Sequence, residues 1–219
     1  MREPDVTLTN LVIVIECLAF GLACARRPRT MLRDTLIAFF AASALASGSA
    51  GVVHGYAPDP AEPGHVWFWT MTMLAIIGGS AMLCLAAGEL GNNPVAGRKR
   101  RARFIMVAAS CLAAVVLLGA RSFTLAVAAY VPASVWLASI LVVRWRDRGS
   151  WPLLVGAAGL VLAILAGVSQ QLRYTPTPGL LSHNAWYHVL QIVAFAAFYI
   201  GCGDLLANLH GGFPHARSS

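Results

Sequence analysis

The segment 151–172, WPLLVGAAGLVLAILAGVSQQL, contains no Asp, Glu, Lys or Arg. A helix needs about 20 predominantly apolar residues to cross the hydrocarbon core of a bilayer, and this segment is long enough. Most of the remaining chain consists of similar apolar runs, at 7–25, 35–56, 66–90, 104–120, 124–144 and 184–207. The sequence therefore predicts an all-α, polytopic membrane protein in which seven transmembrane helices form a single domain over residues 1–219.

The composition agrees with a membrane protein, because 58% of the residues are hydrophobic and only 11% are charged. A soluble domain typically has about a quarter of its residues charged. The net charge of +7 is concentrated in loops, so it indicates topology, and we expect no nucleic-acid partner. All five cysteines fall inside apolar runs, where free thiols behave as small buried hydrophobes.

The distribution of basic residues predicts the orientation of the chain. All but three of the 16 Arg and Lys residues follow the first, third or fifth apolar run or lie in the C-terminal tail; the exceptions are Arg2, Arg121 and Arg173. Basic residues accumulate on the cytoplasmic side of helical membrane proteins. We therefore expect the N-terminus outside and the C-terminus in the cytoplasm, in a plasma membrane or a bacterial inner membrane.

Four histidines are expected at one level of the membrane. His54 ends the second run, His65 precedes the third, and His183 and His188 begin the seventh. With the topology above, all four lie at the outer boundary, whereas His210 and His215 lie in the cytoplasmic tail. Three neutral imidazoles with an exchangeable water form a known type of catalytic zinc site, so His54, His183 and His188 are the predicted zinc ligands.

Several polar residues close to these histidines are candidates for supporting roles. Ser43, Ser47 and His54 fall on one helical stripe that is rich in small residues, which predicts that His54 points into the bundle. The polar groups that could orient the metal ligands are Ser47, Ser49, Tyr56, Tyr187 and Gln191. Ser182 or Asn184 is expected to cap the last helix, so whether His183 or Asn184 faces the metal stays open.

Glu16 lies in the middle of the first apolar run. An acidic side chain there costs on the order of 3 kcal/mol on insertion scales, so it requires a partner or a polar cavity. Two hypotheses remain open: a catalytic acid or base, or a protonated glutamate hydrogen-bonded between helices.

The stretch Asn184–Leu190, NAWYHVL, resembles the helix-seven signature of alkaline ceramidases. These enzymes belong to the CREST superfamily of seven-helix metal hydrolases, together with progestin and adipoQ receptors and hemolysin III-like proteins. The resemblance implies one metal-binding histidine late in helix two and two at the start of helix seven, with a serine and an aspartate. This sequence departs from the pattern at Asn184, which replaces the first histidine of helix seven, and at Ala50, which replaces the serine. The aspartate has no clear equivalent: Asp59 falls in a loop, and His65 occupies the expected position.

The first functional hypothesis is a zinc-dependent hydrolase that cleaves an amide or ester bond in a membrane lipid. Glu16, Ser47 or Ser49 would then handle the proton or the oxyanion. A fourth protein ligand, with His65 favoured over Asn184 or Asp59, would instead indicate a structural metal. The alternatives are a non-catalytic receptor-like or structural protein with a helix-stapling zinc, and an electron carrier that holds a single haem between two histidines.

Overall fold

The computed structural model describes residues 3–91, 95–177 and 179–208. Within these residues the chain is all-helical and contains no strand. The helices are α1 (Pro4–Ala25), α2 (Met31–Tyr56), α3 (Pro63–Leu90), α4 (Val95–Leu117), α5 (Phe123–Arg148), α6 (Trp151–Gln171) and α7 (His183–Asn208). Six of them, all except α4, are long and apolar enough to cross a membrane. The chain is therefore an integral membrane protein by the length and composition of its helices.

The fourth helix differs from the predicted span at 104–120. It begins earlier, at Val95, and its first turns include the basic residues Lys99, Arg100, Arg101 and Arg103. Only residues 104–117 of the helix then remain apolar, which is fewer than the roughly 20 residues that a span requires. The seventh crossing of the membrane thus stays a prediction.

The six spanning helices form a closed ring. Each helix packs against the next in the order α1, α2, α3, α5, α6 and α7, and α7 returns to α1. Outside this ring, α4 packs against α3, and a small apolar cluster around Met73, Ile77, Val116 and Ala126 joins α3, α4 and α5. The sequence order of the helices is therefore their order around the ring, except that the chain passes outside through α4.

Hydrogen bonds show which helix ends share a level. The start of α1 contacts the end of α2 through Glu3 and His54. It also contacts the start of α7 through Thr9 and His188. At the opposite end, the Arg144 guanidinium on α5 donates to the carbonyl oxygen of Leu90 at the end of α3, at 2.6 Å. We call these levels the histidine end and the arginine end. His210 and His215 lie outside the described residues.

Local sequence explains where several helices begin. The Thr30 hydroxyl accepts a hydrogen bond from the Arg33 amide at the start of α2, and Ser122 does the same for Thr124 at the start of α5. Such caps satisfy amides that have no partner inside the helix. Pro4, Pro63 and Pro152 stand in the first turns of α1, α3 and α6, where a missing amide proton costs nothing.

Small residues allow α6 and α7 to approach closely. A Cβ added to Gly156 would lie 2.9 Å from the Cα atom of Gly201, and one added to Gly159 would lie 2.6 Å from the carbonyl oxygen of Ala194. Helices in a bilayer cannot rely on a hydrophobic driving force for association, so close backbone packing between small residues stabilises them instead. This contact holds the middle and later turns of α7 beside α6.

Candidate functional site

A cavity lies inside the helix ring, with about 1080 Å³ of space between its walls, including the part open to the surroundings. Residues from all six ring helices line it, and none of the described lining residues comes from α4. Towards the arginine end the wall is mainly apolar, with Phe39, Phe195 and Phe198, and it also includes Ser43 and Ser80. The histidine end has most of the polar lining residues, together with the aromatic residues Trp69, Phe123 and Tyr187; the polar ones include Asn10, Ser47, His54, Asn184, His188 and Gln191. The cavity is thus amphipathic along its length.

His188 is buried at the cavity wall, with 6% of its surface exposed. Its Nδ1 atom lies 3.2 Å from the Thr9 hydroxyl and 3.4 Å from the Asn10 Nδ2 atom, both on α1. The Asn10 amide nitrogen can only donate, whereas the Thr9 hydroxyl can donate or accept, so both contacts are hydrogen bonds when Nδ1 accepts. The neutral ring then carries its proton on Nε2, which is a donor.

His54 also lines the cavity, and its Nδ1 atom lies 2.5 Å from the Oε2 atom of Glu3. Both side chains are partly exposed at the histidine end. A carboxylate on Nδ1 fixes the orientation of an imidazole and leaves its Nε2 atom for another partner. His54 and His188 are thus each held through Nδ1 by α1.

Asn184, and not His183, is one of the residues that line the cavity. The amide oxygen of Asn184 accepts a hydrogen bond from Gln170 Nε2 on α6, at 3.3 Å. The helix is regular from His183 onwards, because the Ser182 hydroxyl accepts from the amide of Ala185 and caps the first turn. In a regular helix Asn184 and His188 share a face, and His183 points elsewhere.

The other predicted ligands or helpers at this end lie away from the cavity wall. His65 turns its Nδ1 atom to the carbonyl oxygen of Ala57, at 2.8 Å. Asp59 accepts from the amide of Ala61 in the exposed loop between α2 and α3, and Tyr56 is exposed. None of these three belongs to the lining residues, whereas Gln191 does.

The predicted catalytic residues are divided between the cavity and other places. Ser47 lines the cavity together with Ser43 and His54, as their common helical stripe suggests. Ser49 is buried outside the cavity wall. Glu16 also lies outside it, and its Oε2 atom is buried without a hydrogen-bond partner among the described residues.

The predicted zinc site requires three ligands that lie close together. Among residues 3–91, 95–177 and 179–208, no three His, Cys, Asp or Glu side chains are grouped so that they could hold a metal ion. The cavity wall supplies two imidazoles, from His54 and His188, and the third predicted ligand, His183, is not part of it. The described residues therefore fit the three-histidine set only in part.

Comparison with known families gives one match, to a family described as a family of unknown function (DUF6962), which covers residues 6–207. The chain belongs to DUF6962. No curated protein matches the sequence. Because the function of the family is unknown, the match gives no activity and makes no connection to the CREST superfamily.

The site of this DUF6962 protein includes three residues that the sequence did not single out, namely Glu3, Thr9 and Asn10. All three come from the first helix or the residue before it, whereas the histidines they contact come from α2 and α7. A signal was present, since Thr9 and Asn10 interrupt an apolar run. Polar residues within a span usually face the interior of the bundle.

Proposed function

We propose that this protein binds an amphipathic, lipid-like molecule in the cavity within its helix ring. The observation that carries the proposal is the mainly apolar wall of that cavity with a concentration of polar groups at the histidine end, where His188, His54 and Asn10 lie. Binding sites for small molecules are typically apolar cavities with a few converging polar groups. A lipid-like molecule matches both parts and reaches the protein from the bilayer.

The proposal includes an orientation. The loops and helix ends at the arginine end are rich in Arg and Lys, so this end faces the cytoplasm and the N-terminus lies outside. The polar part of the cavity then lies at the outer boundary of a plasma membrane or bacterial inner membrane. In this topology α4 provides a seventh, shorter crossing on the outside of the ring.

The first test is detection of a bound lipid and of its location. Native mass spectrometry of the purified protein, followed by extraction, should find a bound amphipathic molecule. Ala50 lines the cavity on α2, so Ala50→Leu should reduce the bound fraction, while Ala19→Leu on the exposed face of α1 should not. Equal amounts of bound lipid in both variants, or none in the unmodified protein, would contradict the proposal.

A second candidate is the zinc-dependent hydrolase acting on an amide or ester bond of a lipid. The observation in its favour is the contact of His54 Nδ1 with the Glu3 carboxylate, since histidines that bind metals through Nε2 commonly make such a contact through Nδ1. His54 and His188 are the residues that would hold zinc, which when bound supplies a Lewis acid and an activated water. Because only two imidazoles line the cavity, we derive no reaction step from zinc.

Metal analysis and activity assays separate the two candidates. The hydrolase hypothesis requires zinc in the purified protein and release of fatty acid from a panel of ceramides, acylglycerols and lysophospholipids. His54→Ala and His188→Ala should abolish both, whereas His65→Ala should retain both because His65 lies off the cavity wall. Zinc without turnover would instead indicate a metal that links α2 to α7.

A further inference from the structure

The polar part of the cavity contains a buried acceptor atom that the protein leaves unpaired. Asn10 is 2% exposed and lines the cavity. Its Nδ2 atom donates to the carbonyl oxygen of Val6, at 3.0 Å, whereas its Oδ1 atom is buried and has no hydrogen-bond partner among the described residues. A buried acceptor without a donor is costly, and buried polar groups in proteins are almost always paired. The Asn10 Oδ1 atom is therefore a place for a ligand's donor.

The His188 ring provides a donor close to it. The Asn10 amide nitrogen and the Thr9 hydroxyl both lie near Nδ1, which accepts from the amide nitrogen at 3.4 Å. In the neutral ring the proton then lies on Nε2. An acceptor and a donor on two residues that contact each other recognise a group that both donates and accepts hydrogen bonds, such as a hydroxyl or a primary amide.

The described lining of the cavity offers no unpaired charged side chain to an ionised head group. Among the described residues that line it there is no Asp, Glu, Lys or Arg. The two carboxylates nearest to this end are engaged elsewhere, since Glu3 contacts His54 and Asp5 accepts from the Ser182 amide. A phosphate or carboxylate would bring a negatively charged acceptor to the Asn10 oxygen, and an ammonium group would be buried without a counterion.

From these observations we infer that the cavity selects an uncharged lipid whose head group donates a hydrogen bond to Asn10 Oδ1 and accepts one from His188 Nε2. The acyl chain lies along the aromatic wall of Phe39, Phe195 and Phe198. Fatty alcohols, primary fatty amides and monoacylglycerols have this chemistry. The inference rests on the proposed function, because it names the class of ligand that the proposed cavity binds.

A series of ligands with the same 18-carbon monounsaturated chain tests the inference on the unmodified protein. Oleyl alcohol, oleamide and monoolein should compete for the cavity, and methyl oleate, which has no donor, should bind about tenfold more weakly, as expected for one lost hydrogen bond. Oleate and oleoyl lysophosphatidate should be weaker still. If the anionic lipids or methyl oleate bind as well as the alcohol, the inference is wrong and the proposed function stands. If none of the series binds, the proposed function itself fails.

Substitutions then test whether Asn10 is the residue that recognises the head group. Asn10→Leu has a similar branched shape and lacks the acceptor, so it should lose the preference for oleyl alcohol over methyl oleate. Asn208→Leu, at the exposed end of α7, removes an amide far from the cavity and should keep that preference. If Asn10→Leu does not fold, Ala50→Leu gives the needed contrast, since it should weaken the alcohol and the ester together. An unchanged preference in a folded Asn10→Leu variant would refute the role of Asn10.

Discussion

Glu3 and His54 lie 51 positions apart in the sequence, and their side chains meet at 2.5 Å between Oε2 and Nδ1. This contact joins the residue before α1 to the last turns of α2, at the same end of the ring where Thr9 holds His188. The two histidines of the cavity are therefore oriented by residues from the beginning of the chain.

Replacement of Glu3 should have a small effect on stability. Both partners are partly exposed, and ion pairs in such positions contribute roughly 0–1 kcal/mol. We expect Glu3→Ala to lower the free energy of unfolding in detergent by less than about 1 kcal/mol. If His54 binds zinc, the same variant should weaken zinc binding by about 10–100-fold, because it removes the carboxylate that orients the ring. Glu62→Ala, at an exposed position before α3, serves as the control for both measurements.

The close approach of α6 and α7 predicts a larger effect on stability. A Cβ at position 159 would lie 2.6 Å from the Ala194 carbonyl oxygen, which is backbone and cannot move aside. Gly159→Ala should therefore lower the free energy of unfolding by roughly 1–3 kcal/mol. Gly78→Ala is the matched control, because nothing lies within 4 Å of its added Cβ and alanine favours the helix. Thermal unfolding in detergent that shows the same midpoint for both variants would contradict the described packing.

Gly167 makes room for a cavity residue. The hydroxyl of Tyr130 lies where the Cβ of an alanine at position 167 would be, and it donates to the carbonyl oxygen of Ala163 at 3.2 Å. Gly167→Ala should displace the tyrosine ring, which lines the cavity, and change ligand affinity several-fold. Tyr130→Phe loses only the hydrogen bond and should have the milder effect. A crystal structure or binding curve of Gly167→Ala indistinguishable from the unmodified protein would disprove the prediction.

The haem hypothesis predicts a coloured protein. Two histidines bound to one iron would give an intense Soret band, and either His54→Ala or His188→Ala would alter it. The lipid-binding proposal instead predicts a colourless preparation in all three proteins. An absorption spectrum decides between them, and a stoichiometric Soret band would refute our primary proposal.

The orientation and the fourth crossing are testable with an impermeant maleimide on intact cells. In a background without the five natural cysteines, Glu62→Cys at the histidine end should be labelled and Asp147→Cys at the arginine end should not. Leu118→Cys follows the last residue of α4 and is 89% exposed, so it should be labelled if α4 crosses the bilayer. Labelling of Asp147→Cys alone would reverse the proposed topology.

The helices were predictable because a bilayer sets a minimum length for an apolar run, and six of the seven predicted runs correspond to helices of spanning length. For α4 the basic residues fold into the helix itself, which a count of apolar residues does not reveal. The common membrane level of His54 and His188 was also predictable, because successive spanning helices cross the bilayer in opposite directions. The rotation of the first turn of α7 was not, because it depends on whether Ser182 or Asn184 caps the helix, and both residue types are good caps.

The contacts of α1 with α7 could not be predicted from the sequence pattern for a different reason. Periodicity describes one helix at a time, whereas the partners of His188 lie 178 and 179 positions away. A polar interruption such as Asn10 shows that a helix has an inward face but does not name the helix that it meets.

The meeting of the first and last helices also has a consequence for biosynthesis. A ribosome delivers α1 to the membrane before α7, so Thr9 and Asn10 have no contact with His188 until the final span is inserted. Until then α1 and α6 each lack one of their neighbours in the ring, and the wall of the cavity is incomplete. The binding site therefore forms only with the last step of membrane insertion.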